Sequence, residues 1–459
     1  MGAACCAGGA IAGSAGSSSL LDGTIYSFLT AIPIALYHHY PQVAIALITL
    51  LAVAASSLYI LLIFLTPDTK TSSSSELTFL STKSKQPQSL PSLLDDVEEE
   101  LGGGVNEAVQ LSVVVPAYNE KERLPVMLKE TVEYLDGLKE GRRSLVQGLP
   151  LKKNTASNGS SNGSTSRTPV HSALHDPLTS YEIIIVDDGS KDDTHQVALD
   201  FAQSSPSAAS TIRVVRLVKN RGKGGAVRHG VLHSRGHLIL FADADGATSF
   251  PDLSKLCSTL SRVITPKGHG VAVGSRAHMV KSDAVVKRSF LRNFLMHGFH
   301  LFLTLLLRPP TLSGLVRQVF GRKKQKQCKG VVALPTQPEI KDTQCGFKLF
   351  TRPTAKLVFP ASHIDGWIFD VELLILAQTA SQLALQQQPP STPQLGGNEA
   401  ESEELARLPV PIAEVSVDWQ EVTGSKIDLV KDSVRMALDL IVIRANYGLG
   451  RWKGPKAAL

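Results

Sequence analysis

The sequence is poor in cysteine and in aromatic residues, and its first part lacks positive charge. Its 459 residues include five cysteines, and 6% are aromatic. The cysteines are Cys5, Cys6, Cys257, Cys328 and Cys345. They form no CxxC pair and have no histidine partner at zinc-finger spacing, which excludes a structural zinc site and predicts a reducing compartment.

The overall composition is that of a chain with a packed core. Hydrophobic residues make up 43%, and 47 Lys and Arg face 41 Asp and Glu, a net charge of +6. This excludes collagen-like, coiled-coil and wholly disordered proteins. We expect one main domain with attachments. The basic residues are dispersed, so no nucleic-acid partner is expected, whereas phosphate-bearing small molecules or anionic lipid fit.

A long apolar run lies near the N-terminus. Residues 43–65 carry no charge over 23 positions, which is enough to span a bilayer. A cleaved signal peptide would have a basic n-region and a shorter, earlier core, so we predict a retained transmembrane signal anchor. A buried helix of a soluble domain is the alternative.

The charges around this run predict its orientation. No Lys or Arg precedes Lys70, and Lys83 and Lys85 follow it. The positive-inside bias therefore places residues 1–42 on the lumenal side and the rest in the cytosol. Residues 25–40 are also apolar but are interrupted by a proline and two histidines, so they could lie at the interface.

Polar stretches divide the remaining chain. Residues 66–108 mix Ser, Thr and Pro with an acidic block, which predicts a flexible stalk. Insertions are expected near 140–179, 316–338 and 386–406.

Short β-branched runs alternate with helical patterns after the stalk. They are LSVVV at 111, EIIIV at 182, TIRVVRLV at 211, HLILF at 237 and GVAVG at 270. Continuous apolar strands separated by helices are typical of an α/β fold whose mostly parallel sheet is flanked by helices on both faces.

Acids follow three of these runs. They stand in the segments Pro116 to Glu120, Asp187 to Ser190 and Ala242 to Gly246. Because ligands bind beyond the carboxyl ends of parallel strands, three acidic ends on one edge indicate a site. A helix N-cap is the alternative for Asp187 and Asp188 taken alone.

Two of the acids have the spacing of a cation site. Asp243 and Asp245 are separated by one residue on nearly extended chain, so their carboxylates can point to the same side. Mg²⁺ or Mn²⁺ is favoured, because such ions take oxygen ligands and are completed by substrate phosphates. A plain Asp–Gly turn remains the alternative.

A basic, glycine-rich segment precedes a predicted helix. Residues 219–225 read KNRGKGG, and backbone amides with Lys223 at a helix start suit a diphosphate. The segment matches neither the GxxxxGK[ST] nor the GxGxxG pattern, and a solvated basic turn is the alternative.

Taken together, the motifs resemble a known family. They are VVVPAYNE, IIIVDDGSKDDT, KNRGKGGAVRHG, FADADGAT, GSRAH, DTQCGFKLF and GWIFDVELL. In order over about 109–452, they are similar to the family-2, GT-A-fold glycosyltransferases, and within these to the group that glucosylates dolichyl phosphate in the endoplasmic reticulum. The resemblance implies UDP-glucose as donor, dolichyl phosphate as acceptor, a membrane-bound enzyme and a product for protein N-glycosylation.

The resemblance also implies roles for individual residues. The uridine would be held by Pro116, Tyr118, Glu120 and Asp187, the metal and diphosphate by Asp243 and Asp245, and the donor phosphates by Arg276. The acceptor phosphate would be held by Arg288, Ser289, Arg292 and Lys348. A solvated helix face is the alternative for Arg288 and Arg292. The related mannosyl enzymes have a further metal-binding residue where Ala247 stands here, which puts a third protein ligand in doubt.

One acid is expected to face the acceptor. Asp370 and Glu372 are two positions apart and do not share a helix face, and Asp370 is favoured. A lipid monophosphate has a second pKa of about 6, so it is largely a dianion at neutral pH and hardly requires a general base. Transfer is expected to invert the anomeric carbon.

Two later segments combine apolar runs with basic residues. They are residues 290–307 and 427–452. Both could lie in the membrane interface, with core packing as the alternative for each.

Two other functions remain open. Dolichyl-phosphate mannosyl transfer from GDP-mannose shares the acidic strand ends. A noncatalytic, membrane-anchored nucleotide-binding scaffold would keep the fold without needing both metal carboxylates.

Overall fold

The computed structural model describes residues 37–68, 71–95, 108–146, 168–281, 340–387, 405, 408–424 and 428–456. It divides into two compact units, Met1–Thr66 and Pro67–Leu459.

The first unit contains a long apolar helix. Helix α1 (Pro41–Leu65) has 25 residues, about 37 Å at 1.5 Å per residue. Among the described residues it is the one helix long and apolar enough to cross a membrane. Apart from Ala44 and Leu62 its side chains are not buried, so it is not the core helix of a soluble domain.

The second unit is built on one sheet. Its strands are β1 (Thr78–Ser81), β2 (Ser84–Ser89), β3 (Val109–Ala117), β4 (Tyr181–Asp187), β5 (Ile212–Arg216), β6 (Gly236–Ala242), β7 (Val271–Ser275), β8 (Phe347–Thr351) and β9 (Ile412–Ser416). Their order is β2-β1-β5-β4-β3-β6-β8-β7-β9. Strands β3 to β6 run parallel, whereas β1 and β8 run against their neighbours. The expected mostly parallel GT-A-type sheet is confirmed.

Helices cover both faces of this sheet. They are α2 (Leu124–Lys139), α3 (Pro169–His175), α4 (Thr194–Gln203), α5 (Pro206–Thr211), α6 (Lys223–Leu232), α7 (Leu253–Val263), α8 (Arg352–Val358), α9 (Phe369–Gln387) and α10 (Leu429–Gly448). Val113 and Val115 of β3 join the main core cluster, while Val114 faces α6, where a side chain on Gly230 would lie 2.4 Å from it. Burial on both faces is why residues 113–115 of β3 and 183–186 of β4 form continuous apolar runs.

The expected flexible stalk is wrong for residues 71–95. A hairpin of β1 and β2 lies there, and Leu80 of β1 pairs with Val214 of β5, so the hairpin extends the sheet. Phe79 and Leu93 are buried. The polar composition was misleading because β2 is the edge strand and β1, next to it, has one buried position in four, so few positions of the hairpin face the core.

The insertion near 140–179 is shorter than expected. Leu145 and Val146 are buried, and α3 places Val170 and Leu174 in the core. Residues 147–167, the insertion at 316–338 and residues 388–404 lie outside the described part of the chain, as does the segment 290–307.

Helix α10 packs against the protein along part of its surface, and the interfacial position considered for residues 427–452 stays a prediction. Leu440 and Ile443 pack in the protein, whereas Val430, Val434 and Leu438 are exposed along one side. The helix is therefore a packed element with an apolar outer stripe.

Candidate active site

The carboxyl ends of the central strands form one edge. Strand β3 pairs in parallel with β4 and β6, and both β6 and β7 run antiparallel to β8, so β7 ends at the same edge as β6. Asp187, Asp243 and Arg276, which are far apart in sequence, therefore lie along the same edge of the sheet.

The segment after β3 is held by the segment after β4. Strand β3 extends through Pro116 and Ala117, so Tyr118 is the first residue beyond it. Asn119 has φ of 53°, and its backbone N–H donates to Ser190 Oγ at 2.9 Å. Glu120 is buried, and its carboxylate accepts two hydrogen bonds of 2.7 Å from Arg123. Glu120 therefore anchors this turn through Arg123.

Asp187 is fully buried at the end of β4. Its Oδ1 accepts from the Ser190 backbone N–H at 2.9 Å. Its Oδ2 lies 3.7 Å from His195 Nδ1 and 3.8 Å from Arg216 Nε, and it has no hydrogen-bond donor within reach among the described residues. A buried acceptor of this kind is expected to meet a donor, so Asp187 is suited to a ligand N–H group.

Asp188 holds the glycine-rich segment, a role that sequence reasoning missed. Its two oxygens accept from the backbone N–H groups of Arg221, at 2.7 Å, and Gly222, at 2.9 Å. Gly222 has φ of 92°, and a Cβ there would lie 2.6 Å from the Asp365 carbonyl oxygen. The glycine is thus required both by conformation and by close backbone packing.

Lys223 occupies the first turn of α6 and points to the predicted cation site. Its Nζ lies 2.6 Å from Asp243 Oδ1. Burial lowers the pKa of Lys223, but the carboxylates of Asp243, Asp370 and Asp245 outweigh it, so the pKa is raised and the ammonium group is charged.

The two acids of the DxD motif lie in a crowded electrostatic environment. Burial and the charge of Asp243 raise the pKa of Asp245, whose Oδ1 accepts from the Ala247 backbone N–H at 3.0 Å. Two neighbouring carboxylates that repel each other are stabilised by a cation between them.

Gly346 makes room for one of these acids. A Cβ at this position would lie 1.9 Å from Asp243 Oδ2, and the Asp243 backbone N–H donates to the Gly346 carbonyl at 3.1 Å. The motif DTQCGFKLF therefore supports the DxD motif directly, because its glycine leaves the space that the carboxylate fills.

Arg276 follows β7 and is held by an acid. Its Nε and Nη2 lie 2.7 and 2.9 Å from the two oxygens of Asp342, and its guanidinium carbon lies 5.6 Å from the centre of the Trp419 ring. Burial lowers the pKa of Arg276, but the pairing with Asp342 outweighs this effect and raises it. Asp342 was not identified from the sequence, although it begins the DTQCGFKLF motif.

Lys348 and Asp370 form a buried pair, which differs from the expected contact with an acceptor. Lys348 Nζ donates to Asp370 Oδ1 at 2.8 Å, and the two side chains are 0% and 2% exposed. Strand β8 is covered on both faces, so its lysine faces protein. Burial raises the pKa of Asp370, although Lys348 and Lys223 act in the opposite direction.

Glu372 has a structural role, separate from that of Asp370. It accepts from the backbone N–H groups of His363 and Ile364, both within 3.0 Å, and from the Tyr447 hydroxyl at 3.0 Å. The His363 ring stacks on Trp452 with centroids 4.2 Å apart. These contacts join the start of α9 to the end of α10.

The donor set fits a divalent cation with two protein ligands. Among the described residues there is no group of three or more His, Cys, Asp and Glu placed to hold a metal. Asp243 and Asp245 alone suit Mg²⁺ or Mn²⁺, which bind through one or two carboxylates with substrate phosphates. Arg288, Ser289 and Arg292 lie outside the described residues.

Known proteins resemble this chain over most of its length. A family model described as Glycosyl transferase family 2 matches residues 167–320. The dolichyl-phosphate beta-glucosyltransferase of Dictyostelium discoideum is 37% identical over 379 residues, which cover 82% of this chain and 85% of that protein. That of Homo sapiens is 37% identical over 376 residues, with coverage of 82% and 84%. That of Saccharomyces cerevisiae is 34% identical over 418 residues, with coverage of 89% and 95%.

Among solved structures, a UDP complex of glucosyl-3-phosphoglycerate synthase from Mycobacterium tuberculosis is 16% identical, with a TM-score of 0.38 and coverage of 74% of this chain and 80% of that one. The sequence matches decide the family. The chain belongs to the dolichyl-phosphate beta-glucosyltransferases within glycosyltransferase family 2, and it is a transferase.

Proposed function

We propose that this protein transfers glucose from UDP-glucose to dolichyl phosphate with inversion, at the cytosolic face of the endoplasmic reticulum membrane. The observation that carries the proposal is the cluster of Lys223, Asp243 and Asp245 at the edge where the parallel strands end. The sequence identity of 34% to 37% to the dolichyl-phosphate beta-glucosyltransferases supports the choice of acceptor and sugar.

The nucleotide would occupy the ends of β3 and β4. The free lone pair of Asp187 Oδ2 can accept the imide N–H of a uracil. Asp187 pairs with Ala117 at the end of β3, and Pro116 and Tyr118 are the residues on either side of Ala117. A guanine N1–H could meet the same oxygen, so the choice of UDP rests on the similarity to the glucosyltransferase relatives.

The diphosphate would lie between Lys223 and the DxD acids. Asp243 and Asp245 would hold Mg²⁺ or Mn²⁺, which supplies positive charge that stabilises the departing diphosphate. Lys223, which is paired with Asp243, would place a second positive charge at the leaving diphosphate. Such a charge stabilises the negative charge that develops on the diphosphate in the transition state.

The acceptor needs positioning more than deprotonation. A lipid phosphate dianion is already nucleophilic, and Asp370 is paired with Lys348 rather than free to take a proton. We assign Asp370 to the support of the lysines behind the DxD acids, and Arg276, Arg288, Ser289 and Arg292 to the substrate phosphates. An in-line attack from the face opposite the diphosphate would give the β-linked product.

A transfer assay with two labelled donors tests the proposal. Membranes holding the full chain are incubated with dolichyl phosphate and either UDP-glucose or GDP-mannose, with and without excess EDTA. Lipid-linked glucose from UDP-glucose alone, lost in EDTA, is the expected result. Lipid-linked mannose would identify the GDP-mannose alternative.

A matched pair of variants separates catalysis from scaffolding. Asp245→Asn should abolish transfer, whereas Asp200→Asn, exposed on α4, should keep it. Full activity of Asp245→Asn would contradict the metal assignment.

A further inference from the structure

The chain that precedes β1 inserts an acid into the protein. Glu76 lies in a short 3-10 turn (Ser74–Leu77) and is 3% exposed. Its Oε1 accepts from the Val218 backbone N–H at 2.8 Å, and its Oε2 accepts from the Ser73 backbone N–H at 2.8 Å and from Arg221 Nη2. Burial raises the pKa of Glu76, but these three donors outweigh it and lower the pKa, so the group is a buried carboxylate.

The contact between Glu76 and Arg221 joins the segment after helix α1 to the glycine-rich segment. Arg221 is the third residue of KNRGKGG, two positions before Lys223. Glu76 follows the last residue of α1 by eleven positions. The turn that carries Glu76 is itself fixed on α6, since the Glu76 carbonyl lies 2.9 Å from His229 Nε2.

The glycine-rich segment is held from two sides. Asp188 binds the backbone N–H groups of Arg221 and Gly222, and Glu76 binds the side chain of Arg221. Gly222, with φ of 92°, is the N-cap of α6, and Lys223 follows it. The position of Lys223 at the start of α6 therefore depends on the position of Arg221, two residues before it.

We infer that Glu76 is a positioning residue of the donor site: by holding Arg221, it places Lys223 and the first turn of α6 for the diphosphate. The inference rests on the proposed function for the identity of the nucleotide. The segment that follows helix α1 would then contribute to substrate binding and would not only connect the helix to the domain.

A second buried glutamate supplies a matched control. Glu182 is 1% exposed and pairs with Arg235 at 3.0 Å and Arg213 at 3.3 Å. It lies five residues before Asp187 on β4, about 17 Å from the site edge at 3.3 Å per residue. Loss of the Glu182 charge should lower stability, as loss of the Glu76 charge should, but it should leave diphosphate binding unchanged.

The test measures nucleotide binding in the full-length, detergent-solubilised protein. UDP is titrated calorimetrically in the presence of Mg²⁺ into the wild type, Glu76→Gln and Glu182→Gln, and their thermal midpoints are recorded. Glu76→Gln should raise the Kd for UDP at least about fivefold, a typical lower value for coupling between sites. It should leave the apparent KM for dolichyl phosphate unchanged. Glu182→Gln should lower the thermal midpoint and leave the Kd for UDP within about twofold of wild type, as expected for a distant site.

A double-mutant cycle tests the contact itself. Arg221→Gln should raise the Kd for UDP as Glu76→Gln does, and the double variant should be no worse than either single variant, because both remove one interaction. If Glu76→Gln lowers the thermal midpoint and leaves UDP binding unchanged, the inference is wrong. If Glu76→Gln does not fold, unchanged UDP binding by Arg221→Gln overturns the inference in the same way.

The titration also separates this inference from the proposed donor. If the wild type binds GDP and not UDP, the proposed function is wrong, and the same variants titrated with GDP still test Glu76.

Discussion

The ammonium nitrogen of Lys223 lies 2.6 Å from Oδ1 of Asp243, so a lysine of the glycine-rich segment contacts the DxD motif. The two residues are 20 positions apart and end up together because α6 begins where β6 ends at the same edge of the sheet. This pair links the two motifs in which phosphate chemistry was expected.

Loss of the Lys223 charge should reduce sugar transfer far more than loss of the Lys219 charge. Lys223→Met should lower kcat/KM for the donor at least about 100-fold, as loss of one transition-state donor does in other enzymes. Lys219→Met changes an exposed lysine of the same segment and should cost little. Initial rates with varied UDP-glucose measure both. Equal losses of kcat/KM in the two variants would mean that the positive charge of the whole segment, and not the contact of Lys223 with Asp243, supports transfer.

Gly346→Ala should impair the cation site. The new Cβ would stand 1.9 Å from Asp243 Oδ2, so the carboxylate must move. We expect a loss of transfer of at least about tenfold, since a displacement of 1 Å can cost more than that, together with a higher Mg²⁺ requirement. Gly137→Ala, in α2 with nothing within 4 Å, is the control and should keep wild-type activity and metal dependence. Wild-type metal dependence in Gly346→Ala would contradict the geometry.

The Lys348–Asp370 pair should contribute to stability through its burial. Lys348→Met leaves the carboxylate of Asp370 buried without its partner, which should lower the free energy of unfolding by about 3–5 kcal/mol. Lys255→Met breaks a partly exposed pair with Asp252 and should cost about 1 kcal/mol or less. Urea unfolding of the solubilised protein measures both. Adding Asp370→Leu to Lys348→Met should recover part of the loss, and a further large loss would show that Asp370 has another essential partner.

Asp439 should make stability depend on pH. Burial raises its pKa to about 6, with Glu372 adding to the shift and Arg435 opposing it. The folded state then binds a proton more tightly than the unfolded state, where the pKa is about 4. Stability is therefore lost as pH rises from about 4 to 6. Asp439→Asn should be more stable than wild type at pH 7, with the difference vanishing near pH 4. Urea unfolding at both pH values measures it, and a constant difference would refute the shift.

The predicted membrane orientation of helix α1 should leave two glycosylation sequons unmodified. Asn158 and Asn162 each begin an Asn-Gly-Ser sequence. Since the first basic residue after the apolar run is Lys70 and none precedes it, the domain that carries the sequons should face the cytosol. Endoglycosidase treatment of the native protein should produce no mobility shift. A shift that disappears in Asn158→Gln with Asn162→Gln would place the domain in the lumen.

The strands that sequence reasoning identified share one property. Strands β3, β4, β6 and β7 are read from apolar runs because each is almost entirely buried, whereas β5 keeps an exposed arginine at its end. Strands β1, β2, β8 and β9 were not identified from the sequence. β8 carries Lys348, whose charge interrupts the apolar pattern and is neutralised by Asp370 on a helix 22 residues away.

The acidic strand ends, the DxD spacing, the long apolar helix and the family could all be predicted from the sequence, because each is a local pattern that carries its own chemistry. The tertiary structure decided which of these groups meet. The Lys223–Asp243 and Arg276–Asp342 pairs, the space beside Asp243 at Gly346 and the contact of Glu76 with Arg221 join residues 20 to 145 positions apart, and three of the four separations exceed 60. Such contacts depend on strand order and helix placement, and both are set by how the whole core packs rather than by any one segment.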